Sequence, residues 1–567
     1  MPARFCLLIV LSVASSLAMA AEQTDQPTAF RVRPYLQNPA SDAMTIRWCS
    51  QTGAAGKVTV DGRTLTSQPA LRSELDYQGA EVADQRYPTP PYLHSVRVTG
   101  LTPSTSYPYT VEQSGETITA ILTTAPRPGE LGTGGGVRLF LYADSDAQPE
   151  SRNSRVDWPP STSMPGGPRP RWVRDQYLAD ETTGYRMNLA LIASRAAESL
   201  RAGNPVLASI VGDLVANGGE QRDWDEFWRH NAGMFGSLGS RVPIVAALGD
   251  QEMCGGPPST DLLADLGGYS GPASLLGSRK FLAYFEHPDN GAADARHVGR
   301  YHRVDFGPVT LLTLDSTNGG LDGTNSDTNQ LLDRPKATHI PDYATGSEQY
   351  RWLEQELTAA KLRGAITLVQ FHHAPFSVGP HGRPPGKGPG KDEHSGQALR
   401  SLAPLLRQHD VRAVFSGHDG MYEHSIVEGV HYYDIGIGGD SLLGPQEGVV
   451  NERQIFLAHD HAPEHWNGNV LLQGGKHYGH IEIDVRRQEE TETDSTTESS
   501  NARRETAGGF AVTITPVYVF PVLDPEKPGA ILTWERREYD DTLMFPAASN
   551  QTPSPSAAPE GPQDPRP

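Results

Sequence analysis

Five short apolar runs in this chain each end on a carboxylate or an imidazole. "VRLFLYADSD" finishes on Asp144 and Asp146, "ASIVGD" on Gly212-Asp213, and "PIVAALGDQE" on Gly249-Asp250. "LVQFHH" ends on His372-His373, and "AVFSGHDG" on Gly417-His418-Asp419. Runs of this length and composition are buried strands. Helical patterns lie between them: "NLALIASRAAESLRAG" closed by Gly203, "SEQYRWLEQELTAAKL" opened by a Ser347 cap, and "SGQALRSLAPLLRQHD" with Leu399, Leu402, Leu405 and Leu406 on one face. Strands alternating with helices make an α/β layered domain. In open α/β sheets the C-terminal strand ends line the crevice where ligands bind. One acidic strand end is a surface residue or a satisfied buried one; five in register are not explained by packing. Gathering their carboxylates costs several kcal/mol unless a cation offsets it. The economical cation is a metal ion, or two bridged by a shared carboxylate.

The segments around this domain have a different texture. Residues 29–125 alternate apolar and polar with Gly, Pro, Asn and Asp punctuation, which predicts a small antiparallel sandwich. Its "VTGLTPSTSYPYTV" resembles the closing strands of fibronectin type III modules. "PRPGELGTGGG", residues 126–136, is the linker, and the α/β domain spans 137–545. Within it, 487–508 is a polar, disordered insertion, and the Pro- and Ser-rich tail 546–567 is disordered. Residues 1–20 form a signal peptide: Arg4, an apolar run from Phe5 to Leu17, then Ala18-Met19-Ala20 before the cut. The protein is therefore expected to be secreted or periplasmic, and no later segment is long enough to span a bilayer. A net charge of −20 argues against binding nucleic acid or an anionic membrane. An anionic substrate then needs local positive charge. Cys49 and Cys254 either pair or stand as separate thiols.

The order Asp, Gly-Asp, Gly-Asp-Gln-Glu, His, Gly-His resembles that of the calcineurin-like metallophosphoesterases, whose third motif is Gly-Asn-His-Glu and whose last is Gly-His-x-His. With the sandwich in front, "GHDGMYEH" is similar to the purple acid phosphatase branch, where the stretch reads Gly-His-x-His-x-Tyr-Glu-Arg. That resemblance implies two facing β-sheets flanked by helices, a two-metal site, and hydrolysis of phosphate monoesters or diesters by metal-bound hydroxide. Carried over residue by residue, Asp144 is the first-metal carboxylate and Asp213 the bridge. Asp250 takes the place of the asparagine on the second metal, with His373, in its His-x-Pro setting, and His418 as that metal's imidazoles. His372 is then a catalytic or substrate-facing neighbour rather than a ligand.

Three residues depart from the pattern. Gly420 stands where the second histidine of Gly-His-x-His belongs, Ala216 where the iron-binding tyrosine belongs, and Gln251 where the motif-three histidine assists phosphoryl transfer. Redox-active iron is therefore not expected. Asp146 either completes an oxygen-rich first site with Asp144 and Asp213, suited to Mn²⁺, Mg²⁺ or Ca²⁺, or is a turn residue; the second site suits Mn²⁺ or Zn²⁺. Gln251 can donate a hydrogen bond but no proton, which leaves His372, His381 or His424 to protonate the leaving group. Arg383, with Lys387 and Lys391, sits on a loop that is either an anion-recognition rim with His381 or a solvated Gly/Pro segment. Trp224, Phe227 and Trp228 either line a substrate wall or pack a helix. Two other readings stay open: a degenerate envelope protein that binds phosphate or a polymer without turnover, and an adhesion module built on the sandwich.

Overall fold

Each sheet of the fold follows from a burial pattern already present in its strands. The computed structural model describes residues 29–155, 169–171, 180–254, 274–317, 340–382, 396–439, 442–458, 464–488 and 509–547. The signal-peptide segment, Arg383, Lys387, Lys391, most of the insertion and nearly all of the tail lie outside those residues. Among the described residues no helix is long and apolar enough to cross a membrane.

The N-terminal unit holds β1 (Phe30–Gln37), β2 (Ala43–Ser50), β3 (Lys57–Val60), β4 (Arg63–Thr66), β5 (Ala70–Leu71), β6 (Tyr92–Thr99), β7 (Ser106–Gln113) and β8 (Glu116–Thr123). They form two four-stranded sheets, β1-β2-β6-β5 and β4-β3-β7-β8. Alternation turns Val58, Val98 and Val111 inward around Trp48, whose indole N–H donates to Gln113 at 3.0 Å. This is the all-β module expected ahead of the α/β domain.

That second domain begins with β9 (Gly136–Tyr142), α1 (Glu181–Arg201), β10 (Val206–Val211), α2 (Gln221–Asn231), β11 (Ile244–Ala247) and α3 (Ser274–Tyr284). It continues with β12 (His302–Phe306), β13 (Val309–Thr313), α4 (Glu348–Arg363), β14 (Ile366–His373), α5 (Ala403–Gln408), β15 (Ala413–Gly417), β16 (Tyr422–Val427) and β17 (Val430–Ile435). β18 (Gln454–Leu457), the hairpin β19 (His465–Asn467) and β20 (Val470–Gln473), β21 (Gly479–Arg487), β22 (Phe510–Leu523), β23 (Ile531–Glu538) and β24 (Leu543–Ala547) close it. One seven-stranded sheet runs β11-β10-β9-β21-β22-β23, with β24 also on β22; the other runs β12-β13-β14-β15-β17-β16-β18. Pro546 and Ala547 pair with β22 rather than joining the tail, and Arg487 ends β21 rather than opening the insertion.

The two sheets face each other across one apolar layer, and period two decides which residues enter it. Leu139, Leu141 and Val211 of the first sheet meet Leu311, Leu368 and Phe415 of the second. The alternate residues Phe140, Tyr142 and Ile210 turn outward under α1 and α2. Val369, Phe371 and Val414 likewise pack beneath α4 and α5. Strands covered on both faces read as continuous apolar runs. Ser347 caps α4, accepting from Tyr350 N–H at 3.1 Å, and Gly364 ends it at φ 65°. The single helix expected over "SGQALRSLAPLLRQHD" divides into a 3₁₀ segment, Gln397–Leu402, and the short α5. Pro404 lies in the first turn of α5, where its missing N–H is tolerated, and it blocks a longer helix running through it. Trp224, Phe227 and Trp228 are buried in the core under α2 and present no wall to substrate.

The sandwich is fastened to α2 by a buried ion pair. Arg31 and Asp225 approach to 3.1 Å, and the Tyr77 hydroxyl also donates to Asp225. Tyr35 O–H donates to Tyr284 O at 2.9 Å and Tyr109 O–H to Ser240 O at 2.8 Å. Removing one partner of a buried pair strands the other charge. Asp225→Ala is therefore expected to lower the unfolding free energy by about 3–5 kcal/mol in equilibrium urea denaturation. A loss below about 1 kcal/mol, the size of a surface pair, would contradict this assignment.

Candidate metal centre

The C-terminal ends of β9, β10 and β11 meet those of β14 and β15 at one edge of the facing sheets, because the strands within each set are parallel. Asp213, Asp250, His372 and His418 are all buried there, and each offers a ligand atom within 4.8 Å of the others. His372 Nε2 lies 3.0 Å from Asp213 Oδ2 and 3.0 Å from Asp250 Oδ1. His418 Nδ1 lies 3.2 Å from Asp250 Oδ1. A coordination shell with bonds of about 2.0–2.2 Å spaces its ligand atoms on this scale.

The glycines of the motifs make this crowding possible. A β-carbon on Gly249 would fall inside the Asp213 carboxylate, one on Gly417 inside that of Asp144, and one on Gly212 inside the His372 ring. Asp144, Asp146, Asp213 and His418 have φ of 56°, 37°, 52° and 80°, four of the ten positive-φ non-glycine residues described. Such backbone is strained for residues with a β-carbon and persists where its surroundings impose it.

Glu252, the last residue of "GDQE", holds the backbone at Asp213. Its carboxylate accepts from Asp213 N–H at 3.0 Å, Leu214 N–H at 2.8 Å and Gly249 N–H at 2.8 Å, tying two strand-end loops together. Burial pushes Glu252 up to about 7. The family motif carries a glutamate at this place, and that was the only signal in the sequence for its role.

Of the two adjacent histidines, His372 falls within the four-residue group, and His373, the one the motif implies as a ligand, lies beside it. Leu368, Gln370 and His372 share one face of β14, and Gln370 and His372 both reach β10. Ser209 Oγ donates to Gln370 at 2.7 Å, and His372 Nδ1 donates to Val211 O at 2.9 Å. A carbonyl only accepts, so the bond fixes the tautomer and leaves Nε2 facing the carboxylates. His373 turns to Ser316, whose Oγ lies 2.7 Å from Nδ1. Its ring is 4.8 Å from that of His418, but it stands outside the four-residue group. The registry between β14 and β15 is irregular between Gln370 and His373, which the motif spacing does not register.

The remaining candidates divide. Asp144 accepts from His418 N–H at 2.9 and 3.0 Å, and Asp146 N–H donates to Asp213 O at 3.0 Å. Neither side chain joins the four-residue group. Gln251 does approach it: its N–H donates to Asp213 Oδ1 at 3.1 Å and its side chain to Asp250 at 3.4 Å. His381 lies with its ring 3.8 Å from the His418 ring. His424 is turned away, held by Asp541 at 2.9 Å and by His431 at 2.8 Å. Asp434, at the end of β17, was missed by sequence reasoning; burial and then the charges of Asp419 and Asp144 raise it well above the carboxylate range. The Gly420 backbone lies against Gly436, with the Asp144 carboxylate alongside. Cys49 and Cys254 form no disulfide with each other.

The charges in the group pull against one another. Burial, then Asp250, raises Asp213 well above the usual range, and burial raises Asp144 to about 6. Burial alone would raise Asp250, but His418 and His372 hold it well below that range. Burial opposes a charged His372, yet Asp213 and Asp250 raise it well above 6.5. Two carboxylates and two imidazoles suit Mn²⁺ or Zn²⁺, and the cluster fits such an ion.

Residues 187–422 match the family described as calcineurin-like phosphoesterase. The match takes in Asp213, Asp250, His372 and His418 and begins after Asp144 and Asp146. The purple acid phosphatase from yellow lupin (Lupinus luteus) seeds superposes with a TM-score of 0.51 at 15% identity, covering 89% of this chain and 73% of that one. GAP50, the anchor in the inner membrane complex of Plasmodium, gives 0.32 at 11% identity over 72% of this chain and 90% of its own. A putative 5'-nucleotidase from Staphylococcus aureus gives 0.30 at 10% over 62% and 51%. No curated protein matches the chain in sequence. The lupin likeness fixes the fold, two facing sheets behind an all-β unit.

Metal binding requires a neutral His372, so an ion must displace the proton that the carboxylates retain there. Apparent affinity for Mn²⁺ or Zn²⁺ should therefore keep rising with pH above 6.5, measured by titration calorimetry in several buffers. His372→Ala should weaken binding by about 100-fold or more, and His373→Ala by less than about tenfold. Equal losses, or a pH-independent affinity, would contradict the arrangement.

Proposed function

We propose that this chain, whose residues 187–422 match the calcineurin-like phosphoesterase family and whose fold is like that of a purple acid phosphatase, hydrolyses phosphate monoesters or diesters with a divalent ion held by Asp213, Asp250, His372 and His418. The convergence of those four buried side chains within 4.8 Å carries the reading. An ion held by these residues would offset charge on the phosphoryl oxygens and acidify water, so that no separate base would be needed. Mn²⁺ or Zn²⁺ fits the donors better than iron, since Ala216 supplies no phenolate. A second ion would draw on Asp144 and Asp146 beside Asp213.

The chain's own groups then divide the remaining work. Val211 O orients His372 through Nδ1, and Glu252 holds the loops that carry Asp213 and Asp250. Gln251, against Asp213 and Asp250, is placed to donate a hydrogen bond to an ester oxygen. Of the three histidines able to protonate a leaving group, His372 is engaged by the carboxylates and His424 by Asp541. His381, against His418, is the remaining donor. Export to the periplasm or the medium is proposed from residues 1–20 alone.

The test is hydrolysis of p-nitrophenyl phosphate and bis(p-nitrophenyl) phosphate by the mature protein loaded with Mn²⁺ or Zn²⁺. Turnover of at least one ester, stimulated by metal and lost on chelation, is expected. Asp213→Asn should leave less than about one-hundredth of it. No turnover of either ester by protein of confirmed metal content would overturn the reading in favour of a phosphate-binding protein without catalysis, the outcome that Gly420 and Gln251 would then explain.

A further inference from the structure

The loop after β14, residues 374–382, carries His381 but has little means of holding itself in place. It contains Pro375, Gly379, Pro380 and Gly382, and its one regular turn is a 3₁₀ segment at Pro380–Gly382. Two buried carboxylates of the "GHDGMYEH" stretch grip its backbone instead. Glu423 Oε2 accepts from Val378 N–H at 2.8 Å, and Asp419 Oδ1 accepts from His381 N–H at 2.8 Å. Asn451 donates to the other oxygen of Glu423 at 2.6 Å, and Gln446 N–H donates to Val378 O at 2.8 Å. Asp419 and Glu423 are 0% and 1% exposed. A β-carbon at Gly379 would press on the Asp419 carboxylate, so the loop's close approach requires glycine there.

Burying a carboxylate is costly unless its acceptor capacity is used, and charge-assisted bonds to backbone N–H groups are among the stronger ones. Here one oxygen of each acid, Asp419 Oδ1 and Glu423 Oε2, is used on one short loop, on both sides of the residue pair Gly379-Pro380. The result is a His381 ring 3.8 Å from the ring of His418, at the rim of the metal group. We infer that Asp419 and Glu423 are positioning residues: through Val378 N–H and His381 N–H they fix the loop so that His381 meets the leaving group of the ester. The inference rests on the hydrolase reading above. Asp419 takes the x position of Gly-His-x-His, and its Oδ1 is directed to the loop.

The experiment compares p-nitrophenyl phosphate, whose leaving group departs without help, with phenyl phosphate, whose leaving group needs a proton. All variants are full-length and metal-loaded. His381→Ala should lower kcat on phenyl phosphate by roughly 100-fold and on p-nitrophenyl phosphate by roughly tenfold or less. Asp419→Ala should show the same unequal pattern, with a loss of roughly tenfold or more on phenyl phosphate. The double variant should be no worse than His381→Ala alone. Asp419→Asn keeps an oxygen for His381 N–H and should recover most of the rate, with metal content at the wild-type level. If Asp419→Ala fails to fold, Glu423→Ala is judged by the same pattern and the same double variant with His381→Ala. Losses that multiply in the double variant, or fall equally on both esters, would overturn the inference and leave the hydrolase reading standing. An inactive wild type would overturn both.

Discussion

Everything at this site follows from packing two carboxylates and two imidazoles into one buried space 4.8 Å across. Like charges in a low-dielectric setting repel strongly, so the arrangement needs either shared protons or a cation. The surroundings are built around that requirement. Glycines at 212, 249 and 417 clear room for the side chains, and Glu252 and Val211 use backbone partners to fix them. The positive φ values of Asp144, Asp213 and His418 are the backbone strain of aiming short side chains at a common point. Strain gathered in this way at strand ends belongs to a site rather than to a core.

The two-sheet architecture supplies the rigidity. Parallel strands deliver residues far apart in sequence to one edge, and the apolar layer between the sheets keeps those edges in register. The N-terminal sandwich touches the other flank of the domain, through Arg31 and Asp225 on α2 and through Tyr35 and Tyr109. Those contacts brace the first sheet's helical cover.

Much of this could be read from the residues. Apolar runs ending in Gly-Asp or Gly-His gave the strands and the edge where Asp213, Asp250 and His418 lie, because burial on both faces and glycine beside a bulky group both leave marks in sequence. The choice between His372 and His373 could not be read from motif spacing, since the registry of β14 breaks just before them. In the structure Gln370 and His372 share the face that reaches β10. The roles of Asp419 and Glu423 were hidden for a different reason. Each acts on the backbone of a distant loop, and backbone contacts carry no sequence signature of their own. The break ahead of α5 was legible in Pro404 and was overridden by the regular spacing of leucines.

The departures at Ala216, Gln251 and Gly420 remove aromatic and imidazole donors while leaving the four-residue group complete. The account therefore stands on where an ion binds. Anomalous diffraction from crystals of the Mn²⁺- or Zn²⁺-loaded protein measures this directly. The account predicts a peak about 2.0–2.2 Å from Asp213, Asp250, His372 Nε2 and a ring nitrogen of His418. A peak bound to His373 with His372 uncoordinated, or bound metal with no peak at this edge of the sheets, would contradict it.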